Sequence, residues 1–131
     1  HGGLAQFFCG EADNPRTWRG VQKALGEGEG PVLLYNRFFL HAIDEQSESA
    51  FLRQASDLLK SRGGHLCIEC RTVRDQDHVK VTPSHYRRFI EPLHLAARLH
   101  DVGLGVDYFV EGYGMAKYRE DDAHVVRLIA S

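Results

Sequence analysis

The fold is decided by the stretch Pro31-Val-Leu-Leu-Tyr-Asn-Arg-Phe-Phe-Leu-His-Ala-Ile43. It opens as an unbroken apolar run after Gly30 and then presents Asn36, Arg37 and His41 close together. A short, continuous apolar run is typical of a strand that is buried on both faces, as in a parallel sheet beneath helices. Because open α/β sheets bind ligands just beyond the carboxyl ends of such strands, these polar residues predict a ligand site.

The composition is that of one globular domain. The chain has 131 residues, of which 43% are hydrophobic and 26% charged, and its net charge is −2. This near-neutral charge does not indicate a nucleic-acid or membrane partner, and no apolar run approaches the roughly 20 residues that cross a bilayer. Three cysteines, an odd number, do not make a disulfide framework and indicate a reducing, cytoplasmic compartment.

Strand and helix signals alternate along the chain. Strands are predicted at Leu4–Cys9, Val32–Asn36, His65–Arg71, Gly105–Val110 and His124–Ala130. Helices are predicted from Asn14-Pro15 to Gly26, from Asp44 or Ser47 to Gly63, and from a Ser84 cap to Gly103. The inner face of the last helix is predicted at Phe89, Leu93, Ala96, Ala97 and Leu99. The pattern predicts a single α/β domain with a mostly parallel sheet, closed by an antiparallel strand pair.

Four passages, in their order and spacing, resemble the C-terminal portion of a class I S-adenosylmethionine-dependent methyltransferase. They are Leu34–Ile43, Gly63–Arg71, Gly103–Val110 and His124–Ala130, which resemble the family's fourth to seventh strands with their flanking turns. The wording is similar to that of bacterial methyltransferases with Arg-Phe-Phe-Leu-His-Ala, Glu-x-Arg-Thr and His-Tyr-Arg-Arg-Phe-Ile motifs and a closing Ala-x-Tyr passage. The resemblance covers roughly residues 5 to 130.

The resemblance implies a Rossmann-like, three-layer αβα sheet with the family's strand order 3-2-1-4-5-7-6. It also identifies a departure, since the family's glycine-rich turn after the first strand and the acidic end of the second strand are not in this chain. Leu4–Cys9 would then be the third strand, without its usual neighbours. The missing contacts are expected from an upstream half of the same protein, from a second protomer in a homodimer, or from a different packing.

The resemblance implies S-adenosylmethionine as the cofactor, with Glu11 or Asp13 accepting a hydrogen bond from the adenine amino group. The alternative reading is helix capping, because Asp13 directly precedes Asn14-Pro15 and acidic residues favour helix N-termini.

Tyr35, Asn36 and Arg37 occupy the position where the family's loop lines the methionine part and the sulfonium of the cofactor. Arg37 is predicted to pair with the cofactor carboxylate or an acidic substrate, since a guanidinium binds carboxylates with two donors. The alternative is a pair with Asp44 or Glu45 at the start of the next helix.

His41 is the candidate catalytic base, because histidine titrates near neutral pH and methyl transfer to a hydroxyl benefits from proton removal. The alternative is a histidine that fixes the turn by bonding to the backbone. Glu69 and Arg71 alternate along one strand and therefore face the same side, where they form a substrate-binding wall or an internal salt bridge.

His85, Tyr86 and Arg88 are predicted to open a helix whose N-terminus binds an anionic acceptor, with a solvated basic face as the alternative. Tyr113, in the loop between the last two strands, is predicted to cover the acceptor, or else to lie in an exposed turn. No metal is expected at Cys67 and Cys70, because residues three apart on a strand point to opposite faces.

The function that the resemblance implies is methyl transfer from S-adenosylmethionine to oxygen or nitrogen of a small-molecule or saccharide-like acceptor, by a partial domain. The alternative is a non-catalytic scaffold, oligomerisation fragment or subunit that binds no cofactor, which the missing glycine-rich turn favours. A response-regulator-like or other mononucleotide-binding domain is disfavoured, because the sequence has neither paired acidic residues after a first strand nor a phosphate-binding loop.

Overall fold

The computed structural model describes residues 5–26, 30–76 and 86–131, and all statements about the fold concern these ranges. The helices are α1 (Pro15–Leu25), α2 (Glu45–Arg62) and α3 (Pro92–Asp101). The strands are β1 (Val32–Arg37), β2 (Gly64–Arg71), β3 (Val106–Gly112), β4 (Lys117–Tyr118), β5 (Asp121–Asp122) and β6 (Val125–Ala130).

Four strands form one mixed sheet in the order β1-β2-β6-β3. β1 and β2 are parallel, whereas β6 runs antiparallel to both of its neighbours, β2 and β3. β4 and β5 make a small separate ribbon in the connection between β3 and β6. The predicted α/β class and the antiparallel closing pair are therefore confirmed. Because β6 lies between β2 and β3, one strand pairing is parallel and two are antiparallel, so within the described residues the sheet is mixed and not mostly parallel as predicted.

All three helices share one hydrophobic core with one face of the sheet. Every second residue of the two central strands points into this core, because side chains alternate along a strand. The buried members are Trp18 of α1, Phe51, Leu52, Ala55, Leu58 and Leu59 of α2, Leu66, Ile68 and Cys70 of β2, Leu95 and Leu99 of α3, Val126, Leu128 and Ala130 of β6, and Leu40, Ile90 and Leu104 outside the helices and strands named above. The helices thus form a single layer among the described residues.

The opposite face of the sheet is largely open. Leu33 and Tyr35 of β1 are each 67% exposed, and Tyr108 of β3 is 52% exposed. The expectation that the β1 strand is buried on both faces is wrong. β1 lies at the edge of the sheet, and only its alternate residues, those on the helix side, are half-buried.

The first two helices begin and end where the sequence indicates. The Asn14 side chain accepts a hydrogen bond from the Arg16 N–H at 2.9 Å, and Pro15 is the first helical residue of α1. Of the two predicted starts of α2, Asp44 is the cap, since its Oδ1 accepts from the Ser47 N–H at 2.7 Å. These side chains satisfy N–H groups that a helix start leaves without a partner.

The strand predicted at Leu4–Cys9 is wrong over the residues that the structure describes. Residues 5–9 form no secondary structure and are exposed, with Phe7 95% exposed, and Leu4 lies outside the described residues. An apolar run becomes a strand only where a neighbouring strand can pair with it, and within the described ranges no strand lies beside this segment.

The third helix begins later than predicted. Glu91 caps α3 and Pro92 is its first residue, whereas residues 86–89 are not helical and the predicted cap, Ser84, lies outside the described residues. Ile90 instead forms a parallel bridge to Thr72, which holds this segment beside the sheet. Because α3 starts later, the residues that it buries also differ from those predicted.

The buried residues of α3 are Pro92, Leu95 and Leu99. Of the predicted inner-face residues, Leu99 is buried, whereas Leu93 is 70% exposed. The described residues contain no helix with the length and apolar character needed to span a membrane.

Leu66→Ala is expected to lower the free energy of unfolding by about 3 kcal/mol, because it leaves a cavity at a fully buried position of β2. Leu33→Ala, on the open face of β1, is the matched control and is expected to cost well under about 1 kcal/mol. Urea unfolding of both variants measures the difference. If Leu33→Ala lowered the free energy of unfolding as much as Leu66→Ala does, the open face would be covered in solution.

Candidate functional site

The carboxyl ends of the two parallel strands, β1 and β2, meet at one edge of the sheet. Arg37 and Phe38 stand at the end of β1, Arg71 and Thr72 at the end of β2, and His124 directly precedes the antiparallel strand β6. This edge is where an open α/β sheet places ligands.

Phe38 turns the chain at the end of β1 and lies among charged groups. Its φ is +54°, an uncommon conformation for a residue with a side chain, and its N–H donates to the Glu69 carbonyl at 2.8 Å. The guanidinium carbons of Arg37 and Arg71 lie 4.9 Å and 5.8 Å from the ring centroid, within the range of cation–π attraction.

Arg71 is the centre of a buried polar network. Its Nη1 donates to Asp75 Oδ2 at 2.7 Å, and its Nη2 donates to Asp121 Oδ2 at 2.9 Å. Burial opposes the charge of Arg71, but the two carboxylates outweigh this effect and raise its pKa. The ion pairs therefore tie β2 to the loop after it and to β5.

His124 joins this network from the other side. Its backbone N–H donates to Asp75 Oδ1 at 3.1 Å, and its Nδ1 lies 2.6 Å from Thr72 Oγ1. The Tyr113 ring packs edge-on against the His124 ring, with centroids 4.8 Å apart. Asp75 is fully buried and bonds to both Arg71 and His124, so the edge of the sheet is cross-linked by polar contacts.

Glu69 lies between two arginines on the open face. The three residues are direct neighbours across β1, β2 and β6. Arg37 Nε donates to Glu69 Oε1 at 2.8 Å, and Arg127 Nε donates to Oε2 at 2.5 Å. Burial disfavours the charged carboxylate, but the two guanidinium groups outweigh it and lower the pKa of Glu69. The bond to Glu69 in turn raises the pKa of Arg37.

These charges border a cleft on the open face. Directly beside the charged row, Tyr35, Cys67, Ile129 and Tyr108 form a second row across all four strands. The two rows line a shallow cleft of about 380 Å³. The cleft therefore has aromatic side chains at its two ends and guanidinium groups along one side.

A second cleft lies between the segment before α1 and the turn after β1. It has a volume of about 400 Å³ and is lined by Gly10, Glu11, Ala12, Asp13, Phe39, Ile43 and Ser47. Asp13 Oδ2 accepts a hydrogen bond from Ser47 Oγ at 2.8 Å, whereas Glu11 is exposed. Glu11 and Asp13, the residues that the resemblance assigns to the adenine, thus share one cleft with the turn after β1.

His41 is buried and bonds to backbone. Its Nδ1 accepts from the Arg71 N–H at 3.2 Å, and its carbonyl accepts from the Arg88 N–H at 2.8 Å. This geometry fits the alternative in which the histidine fixes the turn. The role of His41 as a base stays a prediction.

The other predicted site residues are dispersed. Tyr35 is exposed and lines the open face, whereas Asn36 is half-buried on the helix side of β1. Tyr86 is 61% exposed, and His85 lies outside the described residues. Tyr113 is 54% exposed, and its hydroxyl donates to the Arg74 carbonyl at 3.3 Å.

Arg88 has a structural place on the helix side. It bonds to the buried carboxylate of Glu48, which also accepts from Arg98, and its Nε donates to the Ile43 carbonyl at 3.1 Å. The prediction of a helix N-terminus is wrong at Tyr86 and Arg88, because the helix starts at Pro92.

Cys67 and Cys70 lie on opposite faces of β2, as the strand geometry predicts. Cys67 lines the open face, whereas Cys70 belongs to the core, where burial raises the pKa of its thiol to about 12. Cys9, Cys67 and Cys70 are all free thiols. In the described part of the chain, no three histidine, cysteine or acidic side chains are grouped as metal ligands.

Sequence reasoning missed four polar residues of this edge: Asp75, Asp121, His124 and Arg127. Asp75 and Asp121 lie in short elements outside the main sheet, the turn after β2 and the β4–β5 ribbon, and no local pattern of the sequence places either of them beside Arg71. Arg127 comes from the far end of the chain, and only the register of β6 against β2 places it beside Glu69.

The sequence was compared with known proteins. It matches no protein-family model, and the search of curated proteins gives no match either.

Glu69→Gln is expected to lower the free energy of unfolding by about 1–2 kcal/mol at neutral pH, because it removes the charge shared by Arg37 and Arg127. The folded-state pKa of Glu69 is lowered, so its contribution is complete above the ordinary glutamate pKa of ~4.3 and is lost as the pH falls through the lowered pKa. The unfolding free energies of the unsubstituted protein and of Glu69→Gln should therefore become equal in acid.

Glu111→Gln is the control, because Glu111 pairs with the exposed Arg74 and such a pair contributes less than about 1 kcal/mol. Denaturant unfolding across a pH series provides the measurement. A Glu69→Gln effect that persists unchanged in acid would contradict the assignment of an ionised Glu69.

The three thiols are expected to react in separate phases with a thiol reagent at mildly alkaline pH. Cys9 is exposed and should react first, Cys67 is half-buried and should react slowly, and Cys70 should react only after unfolding. A reagent that releases a coloured product as it reacts with thiols, used with and without denaturant, measures these reaction phases. Cys9→Ser should remove the fast phase. Rapid reaction of Cys70 in the folded protein would refute its place in the core.

Proposed function

We propose that this chain is part of an S-adenosylmethionine-dependent methyltransferase that acts on a small-molecule or saccharide-like acceptor. The observation that carries the proposal is the strand order β1-β2-β6-β3 with β6 antiparallel. The resemblance implies the order 4-5-7-6 for the corresponding strands. If strands that follow one another in the chain were also neighbours in the sheet, β3 would lie directly beside β2. β6 lies between them instead, and this supports the resemblance independently of the motifs.

The three-layer arrangement belongs to this proposal. Helices cover both faces of the parallel sheets of α/β proteins, whereas one face of this mixed sheet exposes Leu33, Tyr35 and Tyr108. We propose that a second helical layer, from another polypeptide segment, covers this face in the active protein. The free thiols at positions 9, 67 and 70 fit a reducing, cytoplasmic location.

The second cleft fits the adenine end of the cofactor. It combines the apolar side chains of Phe39 and Ile43, which suit a flat ring, with the carboxylates of Glu11 and Asp13, which suit an amino group. For the ribose and methionine end, the chain offers Arg37 as a carboxylate partner, but the glycine-rich turn is not in the sequence. When bound, S-adenosylmethionine supplies an activated methyl group, and the protein mainly aligns it with the acceptor.

The acceptor is expected at the edge formed by Phe38, Arg71 and Tyr113. Both Nη groups of Arg71 bond to aspartates, which suits a role in positioning the loops rather than direct contact with the acceptor. Tyr113 is exposed above His124 and is suited to cover a bound acceptor.

A second candidate function is that of a non-catalytic scaffold or assembly subunit. The open face and the unpaired outer edge of β1 favour it, because exposed sheet surfaces of this kind are suited to contact another chain. Cofactor binding distinguishes the two candidates.

Asp13→Ala is expected to weaken binding of S-adenosylhomocysteine about ten-fold, because a charge-assisted hydrogen bond to the adenine amino group is lost. Calorimetric titration measures this effect against the unsubstituted chain, for which saturable binding is expected. Ser47→Ala is the matched control, since it removes the Ser47–Asp13 bond and leaves the carboxylate in place.

Glu11→Ala, titrated in parallel, decides which of the two carboxylates contacts the adenine. Equal affinity of both alanine variants and the unsubstituted chain would reject the adenine site. If the unsubstituted chain binds no S-adenosylhomocysteine, the scaffold candidate is favoured.

A further inference from the structure

The turn after β1 is too short to satisfy its own backbone carbonyl groups. Leu40–Ala42 forms a single 3₁₀ turn, in which the Ala42 N–H donates to the Phe39 carbonyl at 2.9 Å. A helical segment leaves its last carbonyl groups without partners in the segment, and Leu40 and His41 are buried away from water. These carbonyl groups therefore need donors from another part of the chain.

Arg88 supplies these donors. Its backbone N–H donates to the His41 carbonyl at 2.8 Å. In its side chain, Nε donates to the Ile43 carbonyl at 3.1 Å, and Nη2 donates to the Leu40 carbonyl at 3.3 Å. The donors of a guanidinium lie in one rigid plane, so a side chain that bonds to two carbonyl groups also fixes their separation. Arg88 thus holds the turn at three of its residues.

Glu48 of α2 fixes the Arg88 guanidinium in place. The Glu48 side chain is buried and accepts hydrogen bonds from Nη2 of Arg88 and from Nη1 of Arg98. A buried carboxylate is stable only when it is paired, so both guanidinium groups are needed at this position. Glu48 directly follows Ser47, which lines the second cleft. The turn after β1 and the start of α2 are therefore held by the same ion pair.

The turn and the start of α2 form one side of the second cleft. Phe39 and Ile43 of the turn line it together with Ser47, whereas Arg88 does not line it. The Phe39 ring also packs edge-on against Phe51 of α2, with centroids 5.3 Å apart. Arg88 can therefore act on a group bound in this cleft only through the backbone of the turn.

We propose that Arg88 is a positioning residue that sets the shape of the second cleft. Its guanidinium, held by Glu48, fixes the turn that places Phe39 and Ile43 beside the carboxylates on the other side of the cleft. The group that this shape fits is the adenine of the cofactor, and this part of the inference rests on the proposed function. Arg88 contributes no atom to the adenine contact.

Arg88→Lys tests whether the fork of donors, rather than the charge, holds the turn. Lysine keeps the positive charge beside Glu48, but its single nitrogen does not reproduce the planar fork. The amides of Ala42 and Arg71 should exchange with solvent about ten-fold faster, because they donate to the Phe39 carbonyl and to His41 Nδ1 of the turn. Hydrogen exchange followed by NMR measures these rates relative to the amides of β6, which report global unfolding.

Arg98→Lys is the matched control. Arg98 is the other guanidinium on Glu48, and its ion pairs are with Glu45 and Glu48 of α2. This substitution should leave the exchange of both turn amides unchanged. Equal exchange in the two lysine variants, or unchanged turn amides in Arg88→Lys, would overturn the proposal, because Arg88 would then serve only to balance the charge of Glu48.

Calorimetric titration with S-adenosylhomocysteine tests the effect on the cleft. Arg88→Lys should weaken binding about ten-fold and Arg98→Lys should leave it unchanged, since only the first loosens the turn. Faster exchange in the turn with unchanged affinity would overturn the role of Arg88 in shaping the cleft. If the unsubstituted chain binds no S-adenosylhomocysteine, the proposed function fails, whereas the exchange rates still decide whether Arg88 holds the turn.

Discussion

The structure depends on the position of β2 between a parallel and an antiparallel neighbour. β2 gives its alternate residues Leu66, Ile68 and Cys70 to the core beneath α2 and ends at Arg71, which is held by Asp75 and Asp121. A buried guanidinium is stable only when paired, so folding must bring the loop after β2 and the distant β5 to the same place. The edge of the sheet at the carboxyl end of β2 is thereby built from segments far apart in the chain.

The two faces of the sheet serve different purposes. The helix side is filled by apolar side chains, whereas the open side carries an apolar row ending in Tyr35 and Tyr108 beside the row formed by Arg37, Glu69 and Arg127. A face of this composition is suited to further contacts, with the second helical layer that we propose or with another protein. Both proposed functions therefore depend on the same structural fact, the absence of a second covering layer among the described residues.

Local signals allowed much of the fold to be predicted, and long-range contacts account for the errors. Asn14 with Pro15, and Asp44 with Gly63, marked two helices correctly because caps act within a few residues. The apolar run at Leu4–Cys9 looked like a strand, but a strand needs a partner that the sequence does not reveal. At the site, Arg71 was identified, whereas Asp121 and Arg127 were not, because the β4–β5 ribbon brings Asp121 to Arg71 and the register of β6 brings Arg127 to Glu69.

The most direct test of the account is the strand order, measured by nuclear Overhauser contacts between backbone protons in solution. We expect contacts between Cys67 and Ile129 and between Glu69 and Arg127, which pair β2 with β6, and contacts between Phe109 and Leu128, which pair β3 with β6. Backbone contacts between β2 and β3 would contradict this order. They would remove the main support for the methyltransferase resemblance and for the network around Arg71.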